Sequence, residues 1–401
     1  MLKTYRYRIR PNSSQQADIR KNMDACRFIY NWALETKKVA YETNGTSLSW
    51  YDLNKELRKL KLEQQWLKTA YSQSLQQSIK RLDLAFKAFF RRVKNCVVEL
   101  GYPKFRSGRY HRQSFDVPQF FKIDFEERRV YLPKIGWIRT IFHRRFTGTA
   151  KMCTIVSTNT GKYFISIVIE DGKITPRKKR LTKKKSVGID VGLKTYATLS
   201  TGQKFENPQY LQRSLKRLQC LHRRMSRKQK GSRNREKARL KLAKRYEKIS
   251  DQRRDFQQKL STNLILENQG IFVESLNVSG MRKNRRLSRA ISDVAWSSFF
   301  GMLRYKAELY GVTLIEVGMF EPTSKLCHKC GFKNVELRLS DREWTCPECL
   351  TAHDRDINAA FNVKEVGFRT YLASLEQRKE PVELPTVVGA MKQETPSFKL
   401  G

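Results

Sequence analysis

Histidine is scarce in this chain, five among 401 residues, which argues against an imidazole-built centre and suits oxygen ligands for any hard cation. Long apolar runs are missing too. No stretch approaches the roughly 18 consecutive apolar residues of a membrane span, and MLKTYRYRIRP at the start has no signal-peptide core, so an intracellular location is expected. Acidic residues are few beside basic ones, 38 Asp and Glu against 81 Lys and Arg, which leaves a formal net charge of +43. A chain so basic repels itself unless a polyanion is present; nucleic acid is the leading partner and an anionic membrane surface the weaker alternative. Cys26, Cys96, Cys153 and Cys220 are scattered and fit a reducing compartment. With 11% aromatic and 39% hydrophobic residues the chain is not disordered, and its length allows two or three domains.

Four further cysteines are grouped. Cys327-x-x-Cys330, fifteen residues, then Cys346-x-x-Cys349 is the spacing of two knuckles closing on one tetrahedral zinc ion. Four thiolates leave no open position, so such a zinc is structural. His328 and His353 stand nearby and are expected to be bystanders. Directly after comes Asp354-Arg-Asp356-Ile-Asn358-Ala-Ala-Phe-Asn362. This reads as a capped helix start, where acids are favoured by the helix dipole, and equally as a carboxylate pair suited to magnesium.

Upstream, LKTYRYRIR (2 to 10) alternates as a strand, and residues 26 to 42, SLSWYDLNKELRKLK and 71 to 90 read as helices. GYPKFRSGRYHRQSF is basic and turn-rich; RRVYLPKIGWIRTIF, MCTIVSTNT and KYFISIVIED read as strands. The first strand and these later ones are expected to close a small barrel with the helices inserted into it. PRKKRLTKKK (176 to 185) is a basic linker, either a solvated hinge or a phosphate contact. SVGIDVG (186 to 192) places one acid, Asp190, in an apolar strand, where it must be paired, protonated or metal-bound. A cationic helical pair turns at Gly231. IFVESLNVSGM (271 to 281) then repeats the strand pattern with Glu274, followed by a helix and the strand VTLIEVG. Strand with Asp, hairpin strands, helices, strand with Glu, helix, strand, cysteine insert, helix with Asp is the order of a ribonuclease-H-like sheet whose carboxylates converge at one end.

CRFIYNWAL, GYPKFRS, GIDVGLKTYATLS, RRDFQQKLST, VESLNVSGM, EPTSKLCHKCG and HDRDINAAFN together resemble the TnpB (OrfB) proteins of bacterial insertion sequences, relatives of the type V CRISPR effectors. The resemblance spans nearly the whole chain. It implies an α+β multidomain protein: a wedge-type β-barrel (1–12 and 100–175), an inserted helical recognition domain (13–99), the basic linker (176–185), a RuvC-like nuclease (186–318 and 353–367) interrupted by a zinc ribbon (319–352), and a disordered tail (368–401). By the family's motifs, Asp190, Glu274 and Asp356 are the catalytic acids and hold two Mg²⁺ ions. Asp354 is then a supporting or capping acid. Gln258 stands where many relatives have His, and Leu350 where Gly is usual; neither is expected to touch the proposed magnesium ligands.

The function so implied is RNA-guided cleavage of double-stranded DNA. The protein would bind a guide RNA from the transposon end, one protein per RNA. It would recognise a short motif beside the target, leave sequence choice to base pairing, and cut both strands at one site in the cytoplasm, on the nucleoid when bound to DNA. Tyr51, Asn54, Ser72 and Gln76 on the inserted helices are candidates for motif recognition, against ordinary helix polarity; Lys104 and Arg106 are candidates for RNA contact. The rival readings are a guide-independent RuvC-like nuclease and a non-cutting regulator of transposition.

Overall fold

A computed structural model describes residues 1–95, 101–108, 113–318, 323–338 and 341–377. Cys96 and positions 378–401 of the expected tail lie outside the described residues. The chain divides into two compact units, the first formed by 1–175 with 215–250 and the second by 176–214 with 251–401.

The first unit opens with strand β1 (Leu2–Arg10) and helix α1 (Ser13–Asn44). A reciprocal cap starts the helix, Gln15 N donating to Asn12 Oδ1 and Asn12 N to Gln15 Oε1, and Gly45 ends it at φ 64°. Helix α2 (Trp50–Glu63) begins on the same device, Ser49 with Asp52, and α3 (Ser72–Lys94) follows a 3₁₀ turn. Six further strands complete its sheet: β2 (Gln113–Val117), β3 (Lys122–Asp124), β4 (Arg129–Leu132), β5 (Gly136–Ile141), β6 (Thr149–Ser157) and β7 (Tyr163–Glu170). All seven strands pair antiparallel in the order β2-β6-β7-β1-β5-β4-β3. Tyr7 and Ile9 of β1 turn inward and share one core with Ile19 and Ile29 of α1, Leu75 and Ile79 of α3, and Ile165 and Ile167 of β7.

In the second unit, β8 (Ser186–Asp190), β9 (Thr195–Leu199) and β10 (Lys204–Glu206) lead into helices α4 (Tyr210–Ser226) and α5 (Arg233–Glu267), whose facing halves belong to the first unit. Next come β11 (Gly270–Glu274), the short helices α6 (Val278–Met281) and α7 (Ser288–Val294), α8 (Trp296–Tyr310), β12 (Thr313–Val317), the hairpin β13 (Glu343–Thr345) with β14 (Ala352–Asp354), and α9 (Arg355–Gln377). The sheet order is β10-β9-β8-β11-β12, with β8, β11 and β12 parallel and β9 and β10 antiparallel. Strand alternation sorts its two faces. Val187, Ile189, Ile271 and Val273 pack with Leu260 and Leu264 of α5 and Phe299 and Leu303 of α8. On the other face Phe272 and Val317 pack with Val363 and Tyr371 of α9.

Four expectations are corrected. The first sheet is a ladder whose edges, β2 and β3, do not pair among the described residues, so hydrogen bonding does not close a barrel. The basic, turn-rich stretch contains strand β2, whose Phe115 and Val117 are buried. The linker is not wholly solvated: Leu181 is buried against Phe272 and Val317, and its N–H donates to Tyr371 Oη. Helix α9 runs to Gln377, so 368–377 is helical, because Tyr371, with Phe368 and Leu375, extends its apolar face onto the sheet.

Candidate active site and four-cysteine centre

Parity and register bring the three acids together. Val273 pairs with Ile189 across the parallel strands β11 and β8, and Asp190 and Glu274 each lie one residue further on. Asp190 shares its strand face with Gly188, and Glu274 shares its face with Phe272; both faces meet α9. The helix approaches closely because no side chain intervenes. A Cβ on Gly188 would sit 2.2 Å from Ala360 O, and one on Gly367 would sit 2.4 Å from the Phe272 ring. With Ala360 over Gly188, Asp356 stands one turn earlier, toward the strand ends that carry the other two acids. Asp354 Oδ1 caps that turn, accepting from the N–H groups of Asp356 and Ile357, and its other oxygen meets Lys204 Nζ at 2.6 Å.

All three acids line one cleft of about 430 Å³, whose apolar wall includes Leu276, Met281, Ile291 and Trp296. Each is partly exposed to it. The carboxyl of Asp190 is pushed up to about 8, first by loss of hydration and then by the charges of Glu274 and Asp356. Thr323 Oγ1 donates to Glu274, and Arg342 Nη1 meets Asp356 at 3.2 Å. An all-oxygen donor set with mutually repelling charges suits a hard cation such as Mg²⁺. The three do not form a tight single-ion cage, since among the described residues only the four cysteines bring all their ligand atoms within 4.8 Å. Beside the cleft, and sharing Leu193 with it, lies a recess of about 470 Å³ lined by Arg285, Arg286 and Arg289.

The geometry of the cysteine cluster is that of a site for one zinc ion. Cys327 and Cys349 sulfurs are 3.6 Å apart and Cys330 and Cys346 3.5 Å, near the roughly 3.8 Å edge of a tetrahedron with Zn–S bonds of about 2.3 Å. Both knuckles turn alike: Gly331 N donates to Cys327 O at φ 83°, and Leu350 N donates to Cys346 O at φ 52°. The two histidines stand outside the four-sulfur ligand group, as expected, and pack beside it. His353 Nε2 lies 3.1 Å from Cys327 Sγ, and His328 stacks on Phe361 of α9 with ring centroids 4.6 Å apart.

The other candidates spread over the first unit. Tyr51 is 71% exposed and Gln76 and Lys104 are exposed, whereas Asn54 donates to Trp50 O and Ser72 accepts from Lys61. Arg106 is occupied within the protein: its guanidinium lies 3.6 Å over the Tyr30 ring and its backbone is held by Asn31. Gln258 sits at the contact of α5 with α8, bonded by Lys306 and Tyr305. Residues without a role in the sequence reading enter the site, Thr323 and Arg342 through the folded arrangement, while Asn358 and Asn362, at a helical spacing visible in DINAAFN, bond the segment that carries Thr323.

Family models match three parts of the chain: a "Helix-turn-helix domain" of the OrfB group at 1–46, "Probable transposase" at 166–285, and "Cas12f1-like, TNB domain" at 296–363. In the structure, 1–46 holds one strand and one unbroken helix. A protein of Streptomyces pristinaespiralis named "Putative RNA-guided DNA endonuclease" is 35% identical over 373 residues, covering 91% of this chain and 89% of that one. The Escherichia coli K12 protein "Putative RNA-guided DNA endonuclease InsQ" is 33% identical over 383 residues, covering 91% and 92%. The protein chain of a solved "Cas12f1-sgRNA-target DNA complex" superposes with a TM-score of 0.46 at 13% identity, covering 91% of this chain and 98% of that one. At that sequence identity and coverage with its curated relatives, the chain belongs to the TnpB (OrfB) family.

Proposed function

We propose that the protein is an RNA-guided DNA endonuclease that binds a guide RNA from its transposon end, recognises a short target-adjacent motif and cuts double-stranded DNA. The convergence of Asp190, Glu274 and Asp356 in one cleft carries this reading, and the activity named for its relatives supports it. In it, the second unit is the RuvC-like nuclease with its zinc ribbon, and the first unit supplies the wedge and recognition parts.

Asp190, Glu274 and Asp356 would hold two Mg²⁺ ions, which supply an activated water and stabilise the leaving oxygen of a phosphodiester. Cys327, Cys330, Cys346 and Cys349 would hold a structural zinc. The chain's own residues do the positioning: Thr323 fixes the Glu274 carboxylate through its hydroxyl. Arg342, exposed at the cleft and paired with Asp356, is free to exchange that carboxylate for a backbone phosphate once Asp356 has another partner. Arg285, Arg286 and Arg289 bring positive charge beside the cleft, where a strand of either polarity must be held.

The test is to express the protein with its native element end, sequence the RNA that copurifies, and offer the complex a matching duplex with Mg²⁺. A discrete RNA with a constant element-end part, and cutting that Asp190→Ala abolishes while RNA binding stays, are expected. Cutting without RNA, or undiminished cutting by Asp190→Ala, would overturn the reading.

A further inference from the structure

Asn358 and Asn362 lie one helical turn apart on α9, on one face, and are 1% and 7% exposed. Buried amides must find partners, and those of this pair come from a single segment, 323 to 328, all of them main-chain groups except the His328 ring. Asn358 Nδ2 donates to Leu326 O at 2.6 Å, while its Oδ1 accepts from His328 N and His328 Nδ1, both at 3.0 Å. Asn362 Nδ2 donates to Thr323 O and Leu326 O, each at 2.7 Å. This segment joins two sites. Cys327 within it belongs to the four-sulfur cluster, and the hydroxyl of Thr323 at its start donates to Glu274. The cysteine insert also supplies Arg342, two residues before the β13 residue Trp344, to Asp356.

Two of the three acids are therefore oriented by groups that belong to, or are tied to, the cysteine segment. We infer that this segment is a positioning element of the carboxylate site, acting through Asn362 and Thr323. The proposal rests on the reading that the three acids bind divalent metal. Its physical content is transmission: the sulfur cluster fixes the course of the chain at Cys327, Asn358 and Asn362 lock that course to the helix bearing Asp356, and Thr323 sets the rotamer of Glu274. A purely structural pair of asparagines would hold the helix in place without changing how tightly the acids take a metal.

The experiment uses the full chain freed of nucleic acid, with Mn²⁺ as the probe, since it favours the same oxygen ligands and its free form is read by electron paramagnetic resonance. Asn362→Ala and the near-isosteric Thr323→Val are compared with the parent, and zinc content is measured on the same samples. Both variants are expected to keep their zinc and to bind Mn²⁺ about tenfold more weakly or worse, the usual cost of removing a group that orients a ligand; Thr323→Ser is expected to restore parental binding. Mn²⁺ affinity within about twofold of the parent in both Asn362→Ala and Thr323→Val, against that scale, would overturn the proposal alone. A parent that binds Mn²⁺ no better than Asp190→Ala would overturn the carboxylate reading, and the proposal with it.

Discussion

At the scale of single residues, the carboxyl of Asp190 is held up at about 8 by lost hydration and by Glu274 and Asp356. In a chelator the folded state therefore binds a proton that the unfolded chain, titrating near 3.9, has released. Stability from this group is full below about pH 4, falls as pH rises, and is lost once pH passes about 8. Asp190→Asn is expected to melt above the parent in chelator by a margin that widens between about pH 4 and 8 and is level beyond. A margin independent of pH in thermal melts would contradict this. Leu350 offers a second case, because it closes the second knuckle at φ 52°, where the first knuckle has Gly331 at φ 83°. Its side chain is 77% exposed and loses little by removal. Leu350→Gly is expected to stabilise by about 0.5 to 1 kcal/mol, the relief of a left-handed conformation less the added freedom of the unfolded chain; chemical denaturation of the zinc-loaded chain reads it. The acids and cysteines were legible in the sequence because each lies in a short motif whose chemistry is local. Thr323 and Arg342 were not, since neither means anything until folding sets it against Glu274 or Asp356.

Among elements, the seating of α9 on the sheet depends on two glycines. A methyl at Gly188 would meet backbone, Ala360 O at 2.2 Å and Lys364 N at 2.6 Å, neither of which can turn aside. Gly188→Ala is expected to cost about 1 to 3 kcal/mol or more, the range of an overpacked core, and to weaken cleavage beyond that loss by lifting Asp356 from the other acids. Equilibrium unfolding and cleavage rates at a temperature where the variant is folded measure the two effects, and full activity would exclude the second. Gly367 also explains a misread boundary. In sequence a glycine a short way ahead of a polar, Pro-interrupted stretch looks like a helix stop, but here it is a notch for the Phe272 ring inside a helix that continues to Gln377. Leu181 was hidden likewise, a lone apolar residue in a run of Lys and Arg whose burial depends on Phe272, Val317 and Tyr371. The strand order with its two acids was legible because alternation and apolar runs are local signals. Whether the antiparallel ladder closes was not, since strand pairing is a relation between distant residues.

For the whole molecule, a net charge of +43 predicts nucleic-acid affinity that falls steeply with salt, while the order of the units along the chain has another consequence. The first unit is assembled from 1–175 and 215–250, and the second from what lies between and after. Glu247, far along α5, accepts from Thr160 Oγ1 at 3.0 Å and meets Lys162 Nζ at 2.7 Å, so the late piece is fastened to the early one within that unit. A protease site engineered at the exposed 174–176 stretch is expected to yield two polypeptides that still elute as one species from a sizing column, and separation there would refute it. The same threading means that no single cut yields two intact modules. Swapping the first unit between relatives therefore requires three junctions, at about 175, 214 and 250, two of them inside helices, so such chimaeras must keep the helical phase at both crossings.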